Sequence, residues 1–83
     1  MKFLCLVYGA AGDGAERLRP AATATTIRVR DGQTLVADGP FAETPDELAG
    51  FLVLDCESMD EALARAKELG GTAVEVRPEY TVS

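Results

Sequence analysis

Few side chains in this sequence can do chemistry, and they fall into three groups. Asp38, in the run Asp38-Gly39-Pro40-Phe41, offers a carboxylate beside a glycine. Such a glycine lets a ligand come close to the backbone, so Asp38 is the best single candidate for a base or a binding anion. Arg28 and Arg30 stand two residues apart and would project from the same side of a strand. There they could clamp a small carboxylate or phosphate, because a guanidinium gives bidentate hydrogen bonds. Cys5 and Cys56 are the two thiols, but the chain contains no histidine to activate them. Both lie in apolar runs, where burial raises a thiol pKa, so packing is the stronger reading for each.

Each motif also has a plainer reading. Asp, Gly and Pro in succession form a rigid corner, in which Phe41 would plug the core and Thr44 would cap a helix. This structural role is favoured over a catalytic one. For Arg28 and Arg30, salt bridges to Glu43, Asp38 or a partner subunit are favoured over a ligand site. The stretch Gly9-Ala10-Ala11-Gly12-Asp13-Gly14 follows a strand as a phosphate loop would. It lacks the Lys-Ser or Lys-Thr that completes one and is read as a connection. Tyr8 closes the first strand and Tyr80 follows the last, so their hydroxyls could meet near one sheet end or across a dimer. No metal-ligand spacing emerges, and neither a metal nor a cofactor is expected.

The elements that position these groups follow from periodicity. Residues 2 to 8 read as a strand with Phe3, Cys5 and Val7 on one face and Leu4, Leu6 and Tyr8 on the other, so both faces need cover. Residues 9 to 22 read as a loop with at most a turn or two of helix around Ala15 to Leu18. Residues 24 to 30 place Ile27 and Val29 opposite Thr26, Arg28 and Arg30. Asp31-Gly32 then turns the chain into a returning strand over 33 to 38. Thr44-Pro45-Asp46-Glu47 carries the pattern of a helix start, ended by Gly50. Phe51 to Cys56 read as a central strand. Ser58 and Glu61 form a capping box for a helix in which Met59, Ala62, Leu63, Ala66 and Leu69 recur at helical spacing until Gly70 stops it. Ala73 to Arg77 form a last strand ending at Pro78.

Composition limits the partners. The chain has 83 residues, 47% of them hydrophobic, with a formal charge of −6. The acidic balance argues against nucleic acid and anionic membranes, and no run approaches the roughly 20 apolar residues of a membrane span. The short apolar opening, broken by Gly9 and Asp13, reads as a strand rather than a leader. Free cysteines and the absence of a close-spaced cysteine motif fit a cytoplasmic setting. Residues 1 to 30 carry five basic and two acidic groups, and residues 31 to 83 carry three and twelve. The two halves could therefore attract each other across a subunit boundary.

One domain over residues 1–83 is expected, of the α+β class: a ferredoxin-like antiparallel sheet with one main helix on one face. The other face is apolar too, and a second copy covering it would make a homodimer.

The heptad Asp38-Gly39-Pro40-Phe41-Ala42-Glu43-Thr44 resembles the signature of the DGPF-type branch of the YCII-related family. Met1-Lys2-Phe3-Leu4 leading to Tyr8-Gly9, Ala22-Thr23-Ala24-Thr25-Thr26, Val29-Arg30-Asp31-Gly32, Leu48-Ala49-Gly50-Phe51 and Val74-Glu75-Val76-Arg77-Pro78 are similar as well. The resemblance implies a dimeric α+β barrel, two ferredoxin-like subunits packed sheet against sheet, and a distant likeness to small oxygenase-like and dehalogenase-like enzymes. Two departures stand out. The first helix of the relatives is missing or rudimentary between Gly9 and Pro20, and the histidine of their suspected catalytic pair is absent. The expected function is a dimeric small-ligand-binding or protein-interaction module, with Arg28, Arg30, Asp38, Gly39 and Phe41 as ligand contacts and a small anion as the ligand. The alternative is a small enzyme of oxygenase, isomerase or dehalogenase-like type using Asp38 with Arg28 or Arg30 in the cleft between sheets.

Overall fold

A computed structural model describes residues 1–80. Strand β1 (Lys2–Tyr8) runs down the middle of a four-stranded antiparallel sheet. It lies between β5 (Leu48–Asp55) and β6 (Ala73–Pro78), and the two-residue β2 (Glu16–Arg17) pairs with the far edge of β5. The order is β2-β5-β1-β6, that of a ferredoxin-like sheet in which only one crossover, β5 to β6, carries a helix. Strands β3 (Thr25–Arg30) and β4 (Gln33–Asp38) leave this sheet and form a separate two-stranded hairpin.

The period-2 pattern decides which residues of β1 are buried. Phe3, Cys5 and Val7 are at most 1% exposed and pair with Leu54, Leu52 and Gly50 of β5. Helix α1 (Met59–Ala66) covers this face. It sets Ala62 and Ala66 against the sheet, and Leu69 follows in a 3-10 turn over Lys67–Leu69. Alanines at the contact let the helix sit close to the strands. Ser58 caps α1 as its position suggests, accepting the Glu61 amide at 3.2 Å. Glu61 reaches back one residue further than expected, accepting the Glu57 amide at 2.8 Å. Gly70, at φ 85°, ends the segment.

The other face of the sheet has no covering element among the described residues. Leu4 and Phe51 are each 37% exposed there and Val53 is 54% exposed, with half-buried Leu6 between them. Register places Leu4 opposite Val53 and Leu6 opposite Phe51, so the four form one continuous apolar surface.

Three expectations are corrected. Ala15 to Leu18 form no helical turn: Glu16 and Arg17 pair with Phe51 and Gly50, and the Leu18 amide donates to the Ala49 carbonyl at 2.8 Å. Gly50 permits this, since a Cβ there would lie 2.6 Å from the Glu16 carbonyl oxygen. Thr44 to Glu47 start no helix either. The Thr44 hydroxyl bonds the Asp46 carbonyl, and the Glu47 carboxylate accepts the distant Ala21 amide instead of serving a capping box. Asp46 takes the Thr72 hydroxyl at 2.8 Å, so tertiary partners claim both acids. β5 therefore begins at Leu48, with Gly50 inside it. The hairpin, thirdly, is not part of the main sheet.

Candidate functional site

The Asp38–Thr44 corner hangs from the base of the hairpin. Asp31 (φ 52°) and Gly32 (φ 77°) both take the left-handed conformation that a two-residue hairpin turn demands. Pairing runs from Arg30 with Gln33 to Thr25 with Asp38. At the base, the Gly39 amide donates to the Ala24 carbonyl at 2.7 Å and the Gly39 carbonyl accepts the Thr26 hydroxyl at 2.7 Å. Gly39 stands at φ 102°, with nothing within 4 Å of where a Cβ would be. Its glycine is needed for the backbone angle. Both of its backbone polar groups are spent inside the hairpin, as the rigid-corner reading requires.

Directly paired residues of an antiparallel ladder share a face, so the register sorts the hairpin side chains. Thr25, Ile27, Val29, Thr34, Val36 and Asp38 lie on one face; Thr26, Arg28, Arg30, Gln33, Leu35 and Ala37 lie on the other. The alternation expected for Ile27, Val29, Arg28 and Arg30 holds. The structure does not bring Asp38 together with the two arginines within one chain, because it points from the opposite face. Asp38, Arg28 and Arg30 make no ion pair among the described residues, where the bridges are Met1 to Asp55 at 3.4 Å and Arg77 to Glu75 at 2.6 Å.

Phe41 is 73% exposed and plugs no core. Its ring lies under the Arg28 guanidinium, 5.4 Å from the centroid, in a cation–π contact that ties the corner to β3. Nine residues, 39 to 47, connect Asp38 to β5, and the ring lies on the hairpin side of that connection.

Between the corner, the 3-10 turn Ala21–Thr23 and the end of β1 lies a cleft of about 830 Å³. Its walls are mostly apolar, from Tyr8, Leu18, Pro20, Phe41 and Leu48, with Arg19 as the cation. The Glu47 carboxylate lines it and is fixed by the Ala21 amide, so one wall is held by a hydrogen bond across 26 residues. Of the predicted ligand contacts only Phe41 lines this cleft. Tyr8 and Arg19 line it instead. Their signal was weak: a tyrosine closing a strand and an arginine before Pro20.

Tyr8 and Tyr80 do not meet at one end. Tyr8 opposes Ala73 whereas Phe3 opposes Pro78, so Tyr80 follows at the opposite end of β1, 88% exposed. Cys5 is fully buried, and burial first, then the neighbouring Cys56 thiol, pushes its pKa up, with Arg65 opposing. Arg65 also donates to the Cys56 sulfur at 3.5 Å. Among the described residues no three Asp, Glu or Cys side chains gather as a metal site, and no helix is long and apolar enough to cross a membrane. Among the described residues the geometry offers a concave, mostly apolar surface with one cation, Arg19, and two carboxylates, Glu43 and Glu47, in its lining.

Comparison with known proteins agrees with the fold. A protein of Rhizobium meliloti (strain 1021) named "Uncharacterized protein R00369" is 48% identical over 67 residues, 75% of this chain and 54% of the relative. The chain spans about half the length of the curated relative it matches. The family model described as "YCII-related domain" matches residues 1–82, nearly the full length, and the α+β sheet with its single main helix is consistent with that match. The chain belongs to the YCII-related domain family.

Proposed function

We propose that this chain works as a homodimeric binding module: each of two copies covers the open sheet face of the other, and the cleft beside the Asp38–Thr44 corner takes a small ligand with an apolar body and an anionic group. The observation that carries the proposal is the amount of surface one copy leaves uncovered. A compact monomer of 8.8 kDa exposes about 4,800 Å². This chain exposes 6331 Å². The excess, on the order of 1,500 Å², exceeds the roughly 800 Å² per partner of a standard interface. The radius of gyration says the same, at 14.9 Å against about 12 Å for a compact chain of this length.

Two carboxylates, Glu43 and Glu47, line the cleft as well, and Glu47 is already engaged by the Ala21 amide; the apolar walls bind by burial, and Arg19, the one cation of the lining, is the group that would meet an anion. The enzymatic alternative built on Asp38 with Arg28 or Arg30 has no supporting geometry within one chain. Sedimentation or light scattering, followed by native mass spectrometry of the same sample, tests the proposal. A dimer that retains a small anionic molecule, and loses it on Arg19→Ala, is the expected result. A single-subunit mass at tens of micromolar would refute the dimer. A dimer that neither retains nor takes up small apolar carboxylates would refute the ligand site.

A further inference from the structure

The hairpin poses a problem that the open sheet face alone does not solve. Ile27, Val29 and Val36 are 66%, 72% and 66% exposed, and they share one face with no charge between them until Asp38 at the base. Together they leave on the order of several hundred Å² of apolar surface wet, comparable with the largest patch on an ordinary monomer. An isolated two-stranded hairpin is at best marginally stable in water. Here β3 and β4 pack on each other and make only sparse contact with the main sheet. An alternating strand with arginines on one side and β-branched residues on the other is suited to a surface that covers the apolar side. The described residues of the same chain supply none.

Resting on the dimer reading above, we infer that the β3–β4 hairpin is an intersubunit arm, and that its Ile27, Val29 and Val36 face lies on the open sheet face of a second copy, over Leu4, Phe51 and Val53. The occupant is argued from area and match. The excess surface of one chain includes two uncovered apolar faces, one on the arm and one on the sheet. Docking each on its counterpart in the other copy covers both with one symmetric contact, as a closed two-fold interface requires. Six-residue strands reach about 20 Å, enough to cross the roughly 5 Å spacing between β1 and β5 with length to spare. Charged residues of both signs, Lys2, Glu16, Asp55, Glu75 and Arg77, rim the apolar centre of the sheet face, while Arg28 and Arg30 stay on the outer face of the arm, away from the contact.

The test is sedimentation equilibrium on the full chain, comparing Val29→Glu with Leu63→Glu. Leu63 is a control, 50% exposed on the helix that covers the opposite side of the sheet. Val29→Glu is expected to raise the dimer dissociation constant roughly 30-fold or more, and Leu63→Glu to leave it unchanged. A dimer of unchanged affinity in Val29→Glu would overturn the arm while leaving the sheet-face dimer standing; a monomeric unsubstituted protein would overturn both. Should Val29→Glu fail to fold, Val29→Cys chains mixed with Val53→Cys chains and treated with a short bis-maleimide decide the question. A crosslinked heterodimer supports the arm, and its absence while the chains still form mixed dimers, or capture of the arm by a different protein instead of a second copy, overturns it.

Discussion

If the folded subunit depends on its partner, its melting temperature must depend on concentration, and the size of the effect follows from the length of the chain. Unfolding entropy is about 2.1 cal/mol/K per residue near 60 °C, so two 83-residue chains unfolding together gain about 350 cal/mol/K. A tenfold change in protein concentration shifts the free energy of a dimer that melts to two unfolded chains by RT ln 10, about 1.5 kcal/mol at that temperature. The quotient is a rise in Tm of about 4 °C per tenfold concentration. The structural reason is the thin core: Phe3, Cys5, Val7 and Leu54 fill one side of the sheet, while Leu4, Phe51 and Val53 on the other are 37%, 37% and 54% exposed. Differential scanning calorimetry from about 5 to 500 µM covers two decades and predicts a total rise of about 8 °C. Val53→Lys places a charge at the centre of the open apolar face and should lower Tm most at high concentration and flatten the dependence. A Tm that stays constant across this range, in a protein that melts reversibly, would refute the reasoning.

Two further predictions test the fold and the thiols. Gly71 stands at φ 77°, and a Cβ there would strike the Tyr8 carbonyl oxygen and lie 2.9 Å from Val7 Cγ1. Gly32 has the same φ with nothing within 4 Å. In urea melts Gly32→Ala should cost about 1 kcal/mol and Gly71→Ala at least ~2 kcal/mol more, since only the second adds a clash to the backbone strain; equal losses would contradict the close approach. The Cys5 thiol, raised by burial, contributes stability that is fully present below its unfolded pKa near 8.5 and is lost as pH rises from there towards the folded value. The loss cannot exceed about 1.4 kcal/mol per pH unit for one proton, so melts between pH 8 and 10 should fall more steeply for the native protein than for Cys5→Ala. Parallel slopes would sink this account.

What could be read from sequence was whatever a short stretch decides alone. The two faces of β1, the Asp31-Gly32 turn, the Ser58 cap and the stop at Gly70 each depend on residues a few positions apart, through alternation, positive φ and local hydrogen bonds. The main helix, the antiparallel sheet and the bare apolar face follow from those pieces, while the YCII-related family was legible separately, as a resemblance carried by the Asp38–Thr44 heptad and the similar runs around it. Tertiary structure decided whatever depends on partners far along the chain. Thr44 to Glu47 carry a helix-start pattern, yet Ala21 and Thr72 take the Glu47 and Asp46 carboxylates and leave a bend. Glu16 and Arg17 became a strand because Gly50 leaves room for them. Arg28 and Asp38 share a sequence neighbourhood but not a face, because the hairpin register puts odd-numbered residues of β3 with even-numbered residues of β4. The cleft of Tyr8, Arg19 and Phe41 brings together three segments with no common motif. Such a site exists only once long-range pairing has placed its walls, which is why periodicity and spacing found the scaffold and not the pocket.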